Sequence, residues 1–245
     1  MGKAVRLDKY LADAGIGTRS EVKKLIQKGQ IRVDGNVCKH PETKVTPGET
    51  EVSYLEEPVK AAQECVYYLL HKPAGCVSAT EDPREKTVMD FISSKRRGLF
   101  PVGRLDKDTE GLLLITDDGL LAHCLLSPKK HVDKTYYAKV DGIVTEEDIA
   151  SMKRGVDIGE EKVTLPAVLE ILDTDPGNGT SEIRLTIREG KYHQVKRMME
   201  AVGKKVTYLR RISMGPLSLP SDLAPGQSRP LTEAELLALK ELTGR

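Results

Sequence analysis

At 245 residues the chain can form one or two domains with a sizeable core, and its 39% hydrophobic and 31% charged residues are those of an ordinary soluble protein. No window approaches the roughly 18 apolar residues of a membrane span, and Met1 to Gly17 is broken by Lys3, Arg6, Asp8, Lys9 and Asp13, so no secretory signal or membrane partner is expected and the cytoplasm is the default compartment. The net charge of +1 hides ten Lys or Arg against five Asp or Glu in residues 1–48, a local +5 that leaves −4 on residues 49–245, so a basic unit suited to an anionic ligand precedes a mildly acidic body.

The first element expected is a helix over 5–14, with Leu7, Tyr10, Leu11 and Ala14 at helical spacing and a stop at Gly15. Thr18 with Glu21 three residues on is a capping-box pattern that opens a second helix through Val22, Leu25 and Ile26 to Gly29. Arg19, Lys23, Lys24 and Lys28 fall on its polar face. Ile31-Arg32-Val33-Asp34-Gly35-Asn36-Val37 then reads as strand, tight turn, strand. The segments R-L-D-K-Y-L, T-R-S-E and I-R-V-D-G in this order resemble the small RNA-binding domain named after ribosomal protein S four, over about residues 4–52. The resemblance implies that Arg19, Lys23, Lys24, Lys28 and Arg32 lie against phosphates, which fix affinity and register more than sequence choice. This places domain boundaries at 1–52, a charged and aperiodic linker at 53–64, and a second domain at 65–245.

The second domain begins with a buried strand pattern, Val66 to Leu70, ending at Lys72-Pro73-Ala74-Gly75. A helical stretch is expected at Thr87 to Ile92, followed by basic Lys95-Arg96-Arg97 and the apolar run Leu99 to Val102. After the polar loop 103–111 come a strand at Leu112 to Ile115, a turn and N-cap signal at 116–119, and a helix at Leu120 to Leu126. The basic loop 127–134 leads into an alternating strand, Thr135 to Val140, and Thr145 caps a helix to Lys153. Strands are expected at Val163 to Leu172, Glu182 to Ile187 and Val206 to Ile212, with helices at His193 to Val202 and Thr232 to Leu242. The fold class is α+β, with a mixed, mostly antiparallel sheet.

The loop Gly103-Arg104-Leu105-Asp106-Lys107-Asp108-Thr109-Glu110-Gly111 is the candidate site, because two glycines and two flanking strands let a sharp loop hold a carboxylate forward. One reading is a D-x-D phosphotransferase, with Asp106 phosphorylated and Asp108 on magnesium; Thr109, three residues after the first Asp where such loops want four, fits it poorly. In the other, Asp106 acts alone as nucleophile or base, kept ionised by a cation such as Arg104 or Lys196. Cys38, Cys65, Cys76 and Cys124 form no C-x-x-C pair and the five histidines no zinc-type spacing, so no metal site is suggested.

G-R-L-D-K-D-T-E-G at 103–111, K-T-Y at 134–136 and E-G-K-Y-H-Q-V-K-R-M at 189–198, behind the basic domain, resemble the pseudouridine synthase family over nearly the whole chain. A-T-E-D at 79–82, S-P-K-K-H-V at 127–132 and H-Q-V-K at 193–196 resemble its branch acting on small-subunit 16S ribosomal RNA, the RsuA family. The resemblance implies a uridine-to-pseudouridine isomerase needing no cofactor, with Asp106 as catalytic carboxylate, Tyr136 stacking on the extruded uracil and Lys196 pairing with Asp106. It further implies Arg104 on the RNA backbone and Ile187 packing on the base. Its partner would be ribosomal RNA, in a small-subunit assembly intermediate, with the protein a monomer. Lys196 stands where many relatives have Arg, keeping the charge without the bidentate fork. The alternatives are a large-subunit 23S synthase of the same family and a non-catalytic RNA-binding or assembly protein.

Overall fold

The computed structural model describes residues 4–59, 65–127 and 130–244, and the chain divides into two compact units between residues 64 and 65. In the first unit β1 (Val5–Arg6) leads into α1 (Leu7–Asp13) and α2 (Arg19–Gln27). Then follow β2 (Ile31–Val33), β3 (Asn36–Val37), β4 (Lys44–Val45), β5 (Val52–Tyr54) and β6 (Glu57–Pro58). The Thr18 capping box is formed, with the Thr18 hydroxyl accepting from the Glu21 amide and the Glu21 carboxylate accepting from Thr18. Leu7, Leu11, Val22, Ile26, Ile31, Val45 and Val52 make a fully buried core.

The stretch 53–58, expected to be linker, is instead part of this unit: β5 pairs with β2 and β6 with β5, giving the sheet order β3-β2-β5-β6. Its charged composition reflects the exposed edge strand β6, while Tyr54 of β5 packs partly buried against the core. The remainder of the expected linker, 60–64, lies outside the described residues.

The second unit contains β7 (Tyr67–Lys72), a 3-10 turn (Val88–Phe91), β8 (Phe100–Pro101), β9 (Glu110–Thr116), α3 (Gly119–Leu126), β10 (Lys134–Asp141) and α4 (Glu146–Arg154). It continues with β11 (Val168–Asp175), β12 (Thr180–Ile187), α5 (Gln194–Ala201), β13 (Lys205–Met214), β14 (Leu217–Ser218), β15 (Ser228–Pro230) and α6 (Glu233–Thr243). Its sheet runs β11-β12-β10-β13-β9-β7-β15, with β8 beside β9 and β14 beside β13. Every pairing of these strands is antiparallel except β13 with β9, where Arg210 faces Glu110 and Arg211 faces Gly111.

That joint decides one glycine. A Cβ on Gly111 would sit 2.2 Å from the Arg211 carbonyl oxygen, and its φ of +109° is one that L side chains rarely adopt. The last residue of the 103–111 motif is therefore glycine so that β13 can lie against β9.

The strand expected from Val163 starts only at Val168, since residues 163–167 pass α4, where Thr164 donates to Val156 and Ala167 to Met152. Pro166 has no N–H for a ladder. On one face of the sheet, Ala138, Val140, Ile183, Leu185 and Leu209 pack with Met198 and Met199 of α5. Alternation along β10 buries Lys134, Tyr136, Ala138 and Val140, which puts a lysine and a tyrosine on that same apolar face.

Candidate active site

The loop before β9 is held in shape from beneath. Lys72, at the end of an apolar strand, is fully buried, and its ammonium donates to the carbonyl oxygens of Thr109 (2.8 Å), Asp106 (2.9 Å), Pro73 (3.1 Å) and Lys107 (3.3 Å). Ser78 donates through its hydroxyl to the Leu105 carbonyl at 2.8 Å and accepts from the Leu105 amide at 3.0 Å. Gly75 N–H donates to the Lys107 carbonyl at 2.7 Å. Leu105 is anchored in the apolar core. With backbone and Leu105 fixed, the next side chain, Asp106, stands on the wall of a cavity of about 780 Å³, with Tyr136, Ile187, Leu209 and Arg211 also on that wall.

Asp106 has a basic side chain beside each oxygen: His193 Nε2 lies 3.5 Å from Oδ1 and Lys196 Nζ 3.4 Å from Oδ2. Lys196 reaches it from α5, and His193 from the residue before that helix, in a left-handed backbone with φ +48°. A polar network fixes this helix entry, with Gln194 accepting from Lys191 N and donating to Glu189, which accepts from Leu165 N. Lys196 does not itself line the cavity, and its shortest bonds go elsewhere, to both oxygens of Asp108 at 2.7 and 2.8 Å. The Lys196 bond, opposed by partial burial, holds the Asp108 carboxyl below its usual range. For Lys196 burial pulls the ammonium down, but Asp108 and Asp106 together outweigh it and raise it. The expected Asp106–Lys196 pair is thus part of a cluster with Asp108 and His193, and the D-x-D carboxylates converge on an ammonium where a magnesium site would need its ion.

Tyr136 is nearly buried at 8% exposure and sits opposite Leu185 on one side and Arg211 on the other. Ile187 is buried opposite Lys134. Arg104 is exposed at the cavity and makes no ion pair with Asp106. Lys134 is buried, its ammonium donating to the Val132 carbonyl at 3.1 Å. Burial first, and then the charge of Arg211, push the Lys134 ammonium below the usual lysine range. At the mouth Tyr192 is 73% exposed and stacks on the His193 ring at 3.8 Å.

In the first unit Asp8, fully buried, gathers Arg6 at 3.1 Å, Arg19 at 3.3 Å and Lys23 at 4.0 Å. The Arg6 hydrogen bond, against burial and with help from Arg19, brings Asp8 down to about 2. Arg32 pairs with Glu56 at 2.9 Å. Lys24 and Lys28 are exposed and have no carboxylate within salt-bridge distance among the described residues. Arg19, Lys23 and Arg32 therefore have protein partners that sequence reading did not foresee, although all three remain about half exposed. Lys72, Ser78 and His193 are the residues at this site that it left without a role, and Asp108 had one only in the phosphotransferase reading. Their only signals were a lysine closing an apolar strand and two motif residues beside those singled out.

Residues 66–201 match the RNA pseudouridylate synthase family and residues 5–50 the S4 domain. The chain is 49% identical to the uncharacterized RNA pseudouridine synthase YtzG of Bacillus subtilis, covering 97% of this chain and 99% of that one. It is 41% identical to ribosomal large subunit pseudouridine synthase B of the same organism, covering 97% and 96%. Identity to ribosomal small subunit pseudouridine synthase A of Escherichia coli K12 is 39%, covering 96% and 100%. A crystal structure of a pseudouridylate synthase superposes with a TM-score of 0.67 at 38% identity, covering 96% of this chain and 99% of that one.

Proposed function

This chain belongs to the RNA pseudouridylate synthase family and is an RNA pseudouridine synthase with an S4 domain, and from that premise we propose that it isomerises a uridine of ribosomal RNA with Asp106 as the reacting carboxylate. The observation that carries this is the placement of Asp106: a rigidly held carboxylate on the wall of a cavity large enough for a nucleoside, beside Tyr136 and flanked by Lys196 and His193.

A uridine inside an RNA fold is out of reach of such a cavity, so it must swing out, at a cost of a few kcal/mol offset by stacking and base-edge contacts. Tyr136 supplies the stacking face and Ile187 the apolar wall, while exposed Arg104 holds the neighbouring backbone phosphate. Asp106 attacks or deprotonates the ribose, and the C1′–N1 bond breaks with its electron pair going to the base. The base turns and C5 bonds to C1′ as the Asp106–C1′ bond breaks or, on the deprotonation route, as the ribose takes its proton back from Asp106; the C5 proton then leaves and N1 takes up a proton. Substrate and product are isomers, so the step balances without a cofactor. Lys196 and His193 hold the Asp106 carboxylate in place before attack, and Asp108 keeps Lys196 charged and in position.

Arg19, Lys23, Lys24, Lys28 and Arg32 of the S4 domain bind phosphates and set register. Arg19 and Lys23 stay half exposed beside Asp8, and the exposed Arg32–Glu56 pair is weak enough to be exchanged for phosphate. The substrate is small-subunit 16S rRNA in an assembling subunit, on the strength of the A-T-E-D and H-Q-V-K segments, with the enzyme a cytoplasmic monomer. The 41% identity to a large-subunit synthase favours a second reading, a 23S target. Pseudouridine maps of 16S and 23S RNA from cells with and without this protein test both. A uridine lost only from 16S supports the first reading, one lost only from 23S supports the second, and unchanged maps refute rRNA modification.

A further inference from the structure

The cavity wall carries two buried cations that the roles above do not use. Arg211 is 2% exposed, and its Nε donates to the Leu112 carbonyl at 2.8 Å, while its Nη2 is buried without a hydrogen-bond partner among the described residues. Lys134 is 7% exposed. Both line the same cavity as Asp106, and neither has a carboxylate within salt-bridge distance among the described residues. Lys134 feels only the neighbouring Asp133, which itself pairs with Arg188, and two like charges taken out of water with no carboxylate paired to either are strongly unfavourable unless an anion or a set of acceptors arrives with the ligand. An unmade bond from a guanidinium nitrogen carries the same message.

Position says which part of the ligand that is. Arg211 is the register partner of Tyr136 across the β10–β13 pair, and Lys134 lies two residues before Tyr136 on the same buried face. The cations are therefore beside the residue that stacks on the base, whereas exposed Arg104 at the same cavity is suited to phosphate. We propose that Arg211, supported by Lys134, bonds a carbonyl oxygen of the target uracil and stabilises the negative charge the base gains when its glycosidic bond breaks. This rests on the reading that the cavity isomerises uridine. Cleavage places the C1′–N1 electron pair on the ring, spread over N1, O2 and O4; the pair that forms C5–C1′ comes back from the same ring, so the seat is needed only while the base is detached. Donors fixed in a buried site act most strongly on charge that develops in the reaction.

The test uses the full-length protein and an RNA carrying either uridine or 5-fluorouridine at the target, with single-turnover cleavage of the N1 glycosidic bond, RNA affinity and thermal melting all measured. Fluorine withdraws electrons and makes the base a better leaving anion, so it lessens the need for Arg211. Arg211→Gln is expected to slow cleavage of uridine about 100-fold with affinity little changed. Arg211→Lys recovers at least part of that loss, and with 5-fluorouridine the penalty shrinks to about tenfold or less. Lys134→Met, which replaces a desolvated charge by an apolar chain of similar length, keeps the fold and shows the same narrowing with a smaller loss, so it decides the matter if Arg211→Gln does not fold. An equal penalty on both bases overturns the proposal. A loss confined to affinity with a flatter salt dependence also overturns it, and makes the pair a phosphate seat. A wild-type protein that leaves both RNAs intact refutes instead the reading of the cavity as an isomerase site.

Discussion

Replacing Lys72 by Met tests whether the catalytic loop is rigid because of one buried ammonium. The ammonium has three protons and four carbonyl neighbours at 2.8 to 3.3 Å, three of them on residues 106, 107 and 109 of the loop. Each carbonyl left buried and unbonded costs about 1 to 3 kcal/mol. Met fills most of the volume and removes an ammonium that burial has pushed down from its ordinary value, which returns part of that loss. The net destabilisation is about 2 to 4 kcal/mol, and a loop relaxed by about 1 Å reduces turnover on the order of 100-fold. Urea unfolding of the variant gives the first number and single-turnover kinetics on its folded fraction the second. A variant within 0.5 kcal/mol of wild type and equally active would refute the argument that Lys72 sets the position of Asp106.

Tyr136→Leu keeps an apolar side chain on the buried face of β10 but removes the stacking ring; turnover is lost while melting shifts little, and a wild-type rate would make Tyr136 a plain core residue. Gly111→Ala drives a methyl into the Arg211 carbonyl at 2.2 Å and, between overpacking and backbone strain, costs at least about 3 kcal/mol. Unchanged melting would mean the β9–β13 joint yields. Asp8, depressed to about 2 when folded against its ordinary value of 3.8, adds stability that is complete above about pH 4 and is lost as pH falls through about 2. Acid titration of Asp8→Asn should lack that part of the slope, about 1 to 2 kcal/mol at most since its cationic partners are half exposed and screened; an identical slope in both proteins would contradict the Asp8 cluster.

What the sequence disclosed was local. The Thr18 and Thr232 caps follow from Ser/Thr-x-x-Glu spacing, and the loop 103–111 between apolar runs is where the cavity carboxylate stands. The alternation of β10 placed Tyr136 on the inner face. What stayed hidden depends on contacts distant in sequence. Lys72 meets residues 34 to 37 positions away, and Lys196 chooses Asp108 over Asp106 across 88 positions. No periodicity encodes either. The short strands at 52–58 escaped because pairings of two and three residues are too brief to show an alternating pattern. The stretch at Thr87 to Ile92 became a single 3-10 turn, too short for its apolar residues to distinguish from an α-helix.

The role we propose for the Asp106 carboxylate is the chemistry itself. RNA labelled with tritium at uracil C5 reports it directly, because forming the C5–C1′ bond expels that hydrogen. Asp106→Asn keeps the size and polarity of the side chain, and so should bind the RNA and melt as the wild type does while releasing no tritium. Tritium release by that purified variant at a rate near wild type would contradict the claim.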